Sequence, residues 1–240
     1  VASRENLDLI HAHYAVPHAT AAYLAQKILE KQGRKLPIIT TLHGTDITLV
    51  GTDPSYFDIT KFSIEESTAV TSVSNYLKLQ TFYRFSVKKP IEVIPNFVDT
   101  AAFRPETPVD RSLFGAPEEK ILMHISNFRP VKRIPDIIAV FEEVSRKIRS
   151  RLILIGSGPE KEPAVRFCEE RGLSGTVRFL DRQVDVSRLL PLADLYLLLS
   201  EHESFGLTAL EAMSCAVPVV GTSGSGMDEF LGDGKAGMLF

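Results

Sequence analysis

Glu203 and Glu211 stand eight positions apart in Glu203-Ser204-Phe205-Gly206-Leu207-Thr208-Ala209-Leu210-Glu211, directly after the apolar run Leu195-Tyr196-Leu197-Leu198-Leu199. The run reads as a buried parallel strand, and Ser204 as the N-cap of a helix over Phe205–Cys215. Seven residues at about 100° each return Glu211 to roughly the face of Ser204, about 10 Å along the axis. One carboxylate then stands at the helix mouth and the other lies about two turns in. An extended nucleotide-sugar could span both, with its diphosphate near the amide donors of the first turn. Gly206 weakens that turn, and a close approach of ligand to backbone would account for it. The plainer reading is a strand, loop and helix with two solvated carboxylates. The intervening Ser-Phe-Gly-Leu argues against it.

A cationic loop follows another apolar run. Ile125-Ser126-Asn127-Phe128-Arg129-Pro130-Val131-Lys132-Arg133 places three cations within five residues at the carboxyl end of a strand. Phosphoryl oxygens are met by Lys as a point charge and by Arg as a fork. A solvated basic loop is the alternative, and its position at the ligand edge of a sheet favours function. Gly156-Ser157-Gly158-Pro159 allows a tight turn and close approach to a base or ribose, although an ordinary strand–helix turn serves equally well. In Thr41-Leu42-His43-Gly44-Thr45-Asp46, His43 could polarise a sugar hydroxyl or orient a leaving group, or be structural. The alternating pair in His11-Ala12-His13-Tyr14 has no carboxylate or Cys partner at ligand spacing, so metal binding is disfavoured. One of these histidines is expected to pack against the sheet while Tyr14 or His13 edges a cleft. No Asp-x-Asp occurs to clamp a divalent ion on a diphosphate. Neither a metal nor another cofactor is therefore expected, and cations and helix ends must meet the charge.

These residues need a scaffold in which strands deliver loops to one edge. Strands are expected over Leu7–Ala12, Ile38–Leu42, Ala69–Ser72, Ile91–Ile94, Ile121–Ile125, Leu152–Ile155, Val177–Phe179, Leu195–Leu199 and Val217–Gly221. Helices are expected over His18–Lys31, Asp58–Glu66, Asn75–Tyr83, Ile134–Arg149, Glu160–Arg171, Val186–Leu190 and Phe205–Cys215. The alternation is that of a doubly wound α/β fold, whose ligands sit beyond the carboxyl ends of the strands. A proline-rich stretch from Asn96 to Asp110 breaks the pattern. Residues 1–99 then form the latter part of an acceptor-side Rossmann-like domain. Residues 100–240 form most of a second, nucleotide-sugar-binding one, with a cleft between the two.

Bulk properties narrow the class. Across 240 residues the formal charge is −3, which offers no global attraction to nucleic acid. The two cysteines, Cys168 and Cys215, are too few for a disulfide scaffold or metal cluster, and Cys215 reads as a small core residue. Apolar stretches fall far short of a membrane span, so no stable membrane insertion is expected, and a reduced cytoplasmic setting fits. Val1-Ala2-Ser3-Arg4 runs straight into a strand and Gly237-Met238-Leu239-Phe240 stops inside one, as expected for part of a longer protein.

Taken together, these residues resemble the retaining family 4 glycosyltransferases of the GT-B fold. That family carries a Glu-x7-Glu segment with Phe-Gly between, matched by Glu203 to Glu211. It also carries an Ile-Pro-Asn-x-Val-Asp hinge, matched by Ile94-Pro95-Asn96-Phe97-Val98-Asp99. A narrower likeness runs through His13-Tyr14-Ala15-Val16-Pro17-His18-Ala19, Thr41 to Asp46, and Ile125 to Arg129. It is to the bacillithiol-pathway branch, which transfers N-acetylglucosamine from UDP-N-acetylglucosamine to the hydroxyl of L-malate. Many family members have Arg five residues before the phosphate-binding Lys. Here the Lys is Lys132 and the earlier position is Asn127, and the malate-specific branch resembles this chain in having Asn there.

The resemblance implies roles. Glu211 holds the ribose hydroxyls. Glu203, with the amides of Phe205, Gly206 and Leu207, holds the sugar hydroxyls and diphosphate. Lys132, Arg129 and Asn127 meet the phosphates, Gly156 adjoins the nucleoside, and His43 contacts the transferred sugar. His43, Lys132 and Glu203 are the catalytic candidates. Tyr14, Thr45 and Lys61 are the acceptor candidates, with Arg84 a further cation for the malate dianion. Same-face attack is expected, since no enzymic nucleophile stands out. Ala216 departs from a usual Gly, Ser223 to Glu229 departs from a usual Asn-x-Gly-Gly-x-Pro-Glu, and the family's glycine-rich N-terminal loop and closing C-terminal helix are missing. The chain alone is therefore expected to lack contacts. Another acceptor, such as an inositol phosphate or a lipid-linked sugar, remains open. So do a non-catalytic nucleotide-sugar-binding module and, more distantly, an epimerase. A homo-oligomer is also left open.

Overall fold

The structure, a computed structural model, describes residues 5–232 and 234–240. Residues 1–4, read above as the approach to the first strand, lie outside the described residues. One compact unit ends at Asn96 and a second begins at Phe97.

The first unit is built on four parallel strands, β1 (Ile10–His13), β2 (Ile38–Leu42), β3 (Ala69–Ser72) and β4 (Ile91–Val93), in the spatial order β1-β2-β3-β4. Between them run α1 (Thr20–Glu30), the short α2 (Thr45–Thr48), α3 (Pro54–Glu66) and α4 (Asn75–Phe85). The longer helix starts follow local chemistry. Asp53 accepts the Ser55 N–H ahead of α3, whose first residue is Pro54, and Ser74 accepts the Leu77 N–H ahead of α4. The first strand begins three residues later than Leu7, where the apolar run starts. Its partner β2 begins beside Pro37, which accepts the Ile10 N–H but has no N–H with which to extend the ladder. The helix expected from His18 starts at Thr20, after an irregular turn over Ala15–Ala19.

The second unit has six parallel strands: β5 (Lys120–Ser126), β6 (Ser150–Gly156), β7 (Val177–Leu180), β8 (Leu195–Leu198), β9 (Val219–Gly221) and β10 (Gly237–Leu239). Their spatial order is β10-β9-β8-β5-β6-β7. Four helices accompany them: α5 (Ile134–Ser145), α6 (Lys161–Glu170), α7 (Leu207–Ser214) and α8 (Asp228–Leu231). Alternate strand residues feed two cores. Ile121, Met123, Ile153, Tyr196 and Leu198 join α7 and α8 on one face. Leu122, Leu152, Leu154 and Leu197 join α5 and α6 on the other. Ile134, Ile137, Ile138 and Phe141 form the fully buried stripe of α5, each worth about 1.5–3 kcal/mol, so the start of α5 is firmly seated. No helix forms over Val186–Leu190. Successive turn bonds from Leu189 and Leu190 to the Val186 carbonyl end in a 3-10 turn, Leu190–Leu192, whose Pro191 has no N–H to give.

The architecture is thus two parallel-sheet α/β domains. Among the described residues, no helix is long and apolar enough to cross a membrane.

Candidate functional site

Strand order reverses at β5. The chain leaves β5 for α5 on one face of the sheet and leaves its neighbour β8 for α7 on the other. The two loops leave the carboxyl ends of these neighbouring strands at the reversal point, the place where doubly wound sheets bind ligands. After β5, the chain passes Asn127 and Phe128 into a 3-10 turn over Pro130–Lys132. After β8, it runs through Glu203 to Gly206 before α7 begins. The Glu201 N–H donates to the Val131 carbonyl at 2.9 Å. Lys132 Nζ donates to Glu203 Oε2 at 2.8 Å, with side chains only 20% and 14% exposed. Removing either partner would leave a largely buried charge uncompensated.

Of the three cations in this loop, only Lys132 turns onto the Glu203 loop. Arg133 bonds Asp136 in the first turn of α5 at 2.6 Å. Arg129 is exposed.

Ser204 does not cap α7. Gly206 does, with φ of 92°, and the helix starts at Leu207. A Cβ on Gly206 would lie 2.6 Å from Met227 Cγ, so the left-handed turn and contact with Met227 account for this glycine without a ligand. Glu203 therefore stands in the loop before the helix, and only Glu211 lies on it. The N–H groups of Leu207 and Thr208 open the helix without intrahelical acceptors, while the Gly206 carbonyl takes those of Ala209 and Leu210. Phe205 is buried with its ring 5.4 Å from that of Phe230. Leu207 is exposed. The Gly226 N–H braces the Glu203 carbonyl at 2.8 Å, tying the Ser223–Glu229 loop to the site.

Glu211 is half-buried in α7, and burial pushes its carboxyl up to about 7. Tyr196 beneath it is fully buried. Its hydroxyl donates to the Ile125 carbonyl and accepts the Ile125 N–H, both at 3.2 Å.

A cavity of about 520 Å³ opens beside the β5 loop, lined by Ser126, Asn127, Gly156, Ser157, Arg182 and Gln183 among others. Gly156 and Gly158 serve the protein's own packing: a Cβ on either would fall within 2 Å of the Ser126 or Asn127 carbonyl oxygen. Sequence reasoning missed Arg182 and Gln183. They follow β7 at its carboxyl end, the same positional signal that picked out Asn127.

In the first unit, the loops after β1 and β2 meet through Asp46. This buried carboxylate accepts the Ala15 N–H at 2.8 Å and the Gly44 N–H at 3.0 Å, and burial raises its pKa. Three histidines gather above it. His13 Nδ1 and His43 Nε2 share a hydrogen bond of 2.8 Å, and His11 Nε2 pairs with Thr41 Oγ1 at 2.8 Å. Both His11 and His13 are exposed. Ala12 between them takes the buried position, while His11 lies along the opposite face of the sheet, against Thr41 of β2. Burial, and then His13 and His11, hold His43 below the usual histidine value. The Tyr14 ring lies 4.9 Å from that of His43, on a backbone with φ of 76°. Thr45 is exposed at the start of α2, so Tyr14, His43 and Thr45 share these loops. Lys61 sits on α3, partly exposed, outside this hydrogen-bonded set, and Arg84 bonds Gln80 along α4. Among the described residues, no group of three or more His, Cys, Asp or Glu is placed to hold a metal ion.

Comparison with known proteins bears on this geometry. Residues 1–102 match the glycosyltransferase family 4 model, and residues 108–240 match that of glycosyl transferases group 1. N-acetyl-alpha-D-glucosaminyl L-malate synthase of Bacillus anthracis is 43% identical over 100% of this chain and 62% of its own length. D-inositol 3-phosphate glycosyltransferase of Mycobacterium tuberculosis is 33% identical over 62% of this chain and 32% of its own. The chain thus spans under two thirds of the curated relatives it matches. Anabaena HepE, solved with UDP and glucose, superposes with a TM-score of 0.82 at 21% identity, over 99% of this chain and 65% of its own. That likeness speaks to the fold, which is that of the GT-B glycosyltransferases. With its larger part matching one family model and its remainder the companion model, the chain belongs to the group 1, family 4 glycosyltransferases.

Proposed function

We propose that the protein carrying this chain transfers N-acetylglucosamine from UDP-N-acetylglucosamine to the hydroxyl of L-malate, with retention at the anomeric carbon. The observation that carries the donor half is the Lys132–Glu203 ion pair at the point where strand order reverses, beside the amide end of α7. A diphosphate arriving there competes with Glu203 for Lys132. The released carboxylate then accepts hydrogen bonds from sugar hydroxyls. Glu211 takes the ribose hydroxyls, and the cavity bounded by Asn127 and Gly156 has the size of a nucleoside pocket. Arg129 adds charge from the rim. The 43% identity to the Bacillus malate synthase along the whole chain supports both the N-acetylglucosamine donor and the malate acceptor.

In this reading His43 contacts the transferred sugar as a neutral imidazole. Tyr14, Thr45 and Lys61 serve the acceptor. The bond from the anomeric carbon to the β-phosphate oxygen breaks through an oxocarbenium-like state. The malate hydroxyl oxygen attacks from the same face, and its proton passes to the departing phosphate oxygen. The chain's own residues orient the groups and stabilise charge developing on UDP, through Lys132 and the opening amides of α7. No metal enters the scheme.

Incubating the full-length protein with UDP-N-acetylglucosamine and a panel of hydroxy acids tests the proposal. The expected product has the mass of the malate adduct and an α-anomeric NMR coupling. Transfer to a different acceptor would overturn the malate assignment, and UDP binding without any transfer would favour a binding module.

A further inference from the structure

His124 is fully buried in the middle of β5, and nothing in the scheme above uses it. Its Nδ1 lies 2.8 Å from the Leu197 carbonyl oxygen in β8, and its Nε2 lies 2.8 Å from Ser126 Oγ. A carbonyl oxygen can only accept, so Nδ1 carries the proton and Nε2 is the bare acceptor for the Ser126 hydroxyl. The Ser126 oxygen in turn accepts the Phe128 N–H at 3.3 Å. Phe128 has φ of 40°, an uncommon conformation for a side chain of this size, and its ring is fully buried. The Phe128 carbonyl accepts the Glu160 N–H at 2.9 Å, which braces the loop from the other side. Between Ser126 and Phe128 sits Asn127, on the wall of the cavity.

We infer that His124 is a positioning residue for the nucleotide: through Ser126 it holds the 126–128 turn in the shape that presents Asn127 to the donor, and its tautomer is set by the neighbouring strand β8. The inference rests on the donor reading given above. One imidazole thereby ties β5 to β8, the two strands at which the strand order reverses, and transmits that tie to the loop backbone. Burial holds the ring down to about 4, so it stays neutral and keeps the Nε2 lone pair across the ordinary pH range.

The test compares UDP affinity by calorimetry with thermal melting in the full-length protein. His124→Asn retains an amide donor for Leu197 but has no atom at the Nε2 position. His124→Gln can place an oxygen there for Ser126. Ser126→Ala removes the relay while leaving the imidazole in place. His124→Asn and Ser126→Ala are expected to weaken UDP about five- to tenfold, the scale of one lost buried hydrogen bond. His124→Gln is expected to recover most of that affinity whatever its melting temperature. Should His124→Asn fail to fold, Ser126→Ala decides the matter. Wild-type affinity in Ser126→Ala, or a His124→Gln variant as weak as His124→Asn, would overturn the positioning role. Absence of UDP binding by the wild type would instead reject the donor reading itself.

Discussion

The two units deliver polar side chains to the carboxyl ends of their strands by different means. In the second unit the site is made of opposite charges, Lys132 against Glu203, at a reversal of strand order. In the first unit the described strands run β1-β2-β3-β4 without reversal, and the polar cluster consists of imidazole rings and hydroxyls above one buried carboxylate, Asp46. The first arrangement suits a ligand that carries its own charge, since in the proposed reading a diphosphate takes the place of Glu203 on Lys132. The second suits orientation of neutral hydroxyls, because His43 is kept uncharged by burial and by its histidine neighbours. Altering the charged site should therefore act most strongly on function, whereas altering Asp46 should act first on the fold.

The largest expected effect is on turnover. Lys132→Ala should lower kcat on the order of 10²-fold, as when one preorganised charge-stabilising donor is lost. Because Glu203 loses its partner in a largely buried site, the melting temperature should fall as well, so turnover is compared well below it, and unchanged turnover would remove Lys132 from the chemistry. Asp46→Ala should instead cost about 2–4 kcal/mol in denaturant unfolding, because the Ala15 and Gly44 N–H groups lose their acceptor. A loss below about 0.5 kcal/mol would mean that the two loops are held by other contacts.

A smaller effect concerns pH. The Glu211 carboxyl in the folded chain titrates at about 7, above its ordinary range. Its stabilising contribution is fully present below the unfolded value and is lost as pH rises through about 7. Ribose hydroxyls donate best to the ionised form, so donor binding should run the opposite way. Affinity for a UDP-sugar, whose diphosphate diester does not titrate near neutrality, should rise about tenfold from pH 6 to pH 8. Glu211→Gln should flatten that rise, and an equally steep rise in the variant would assign it to another group.

Much of this was legible in the sequence because strand burial imposes continuous apolar runs. β2 and β3 fall where Ile38–Leu42 and Ala69–Ser72 predict. The charged pair was legible as two separate residues, since both lie just past strands. Their direct contact was not, because it depends on which strands are neighbours. The Ser204 cap was misplaced because a left-handed Gly206 can start a helix two residues later, a choice made by Met227 packed against it. Gly156 suggested a ligand and does line the cavity, and the close crossing of its loop with Ser126 also requires it to lack a Cβ. Ala216 shows why the family usually has Gly at that position: its φ is 59°. Asp46 and His124 left no signal, since a lone acid and a lone histidine reveal nothing until the backbone groups they satisfy are known.

The exchange of Lys132 from Glu203 to a diphosphate is tested most directly by titrating UDP and uridine into wild type and Glu203→Gln. Neutralising Glu203 frees Lys132 in advance, so UDP should bind several-fold tighter to the variant while uridine binds both alike and sugar transfer falls. UDP binding that is unchanged or weaker in Glu203→Gln would contradict the account.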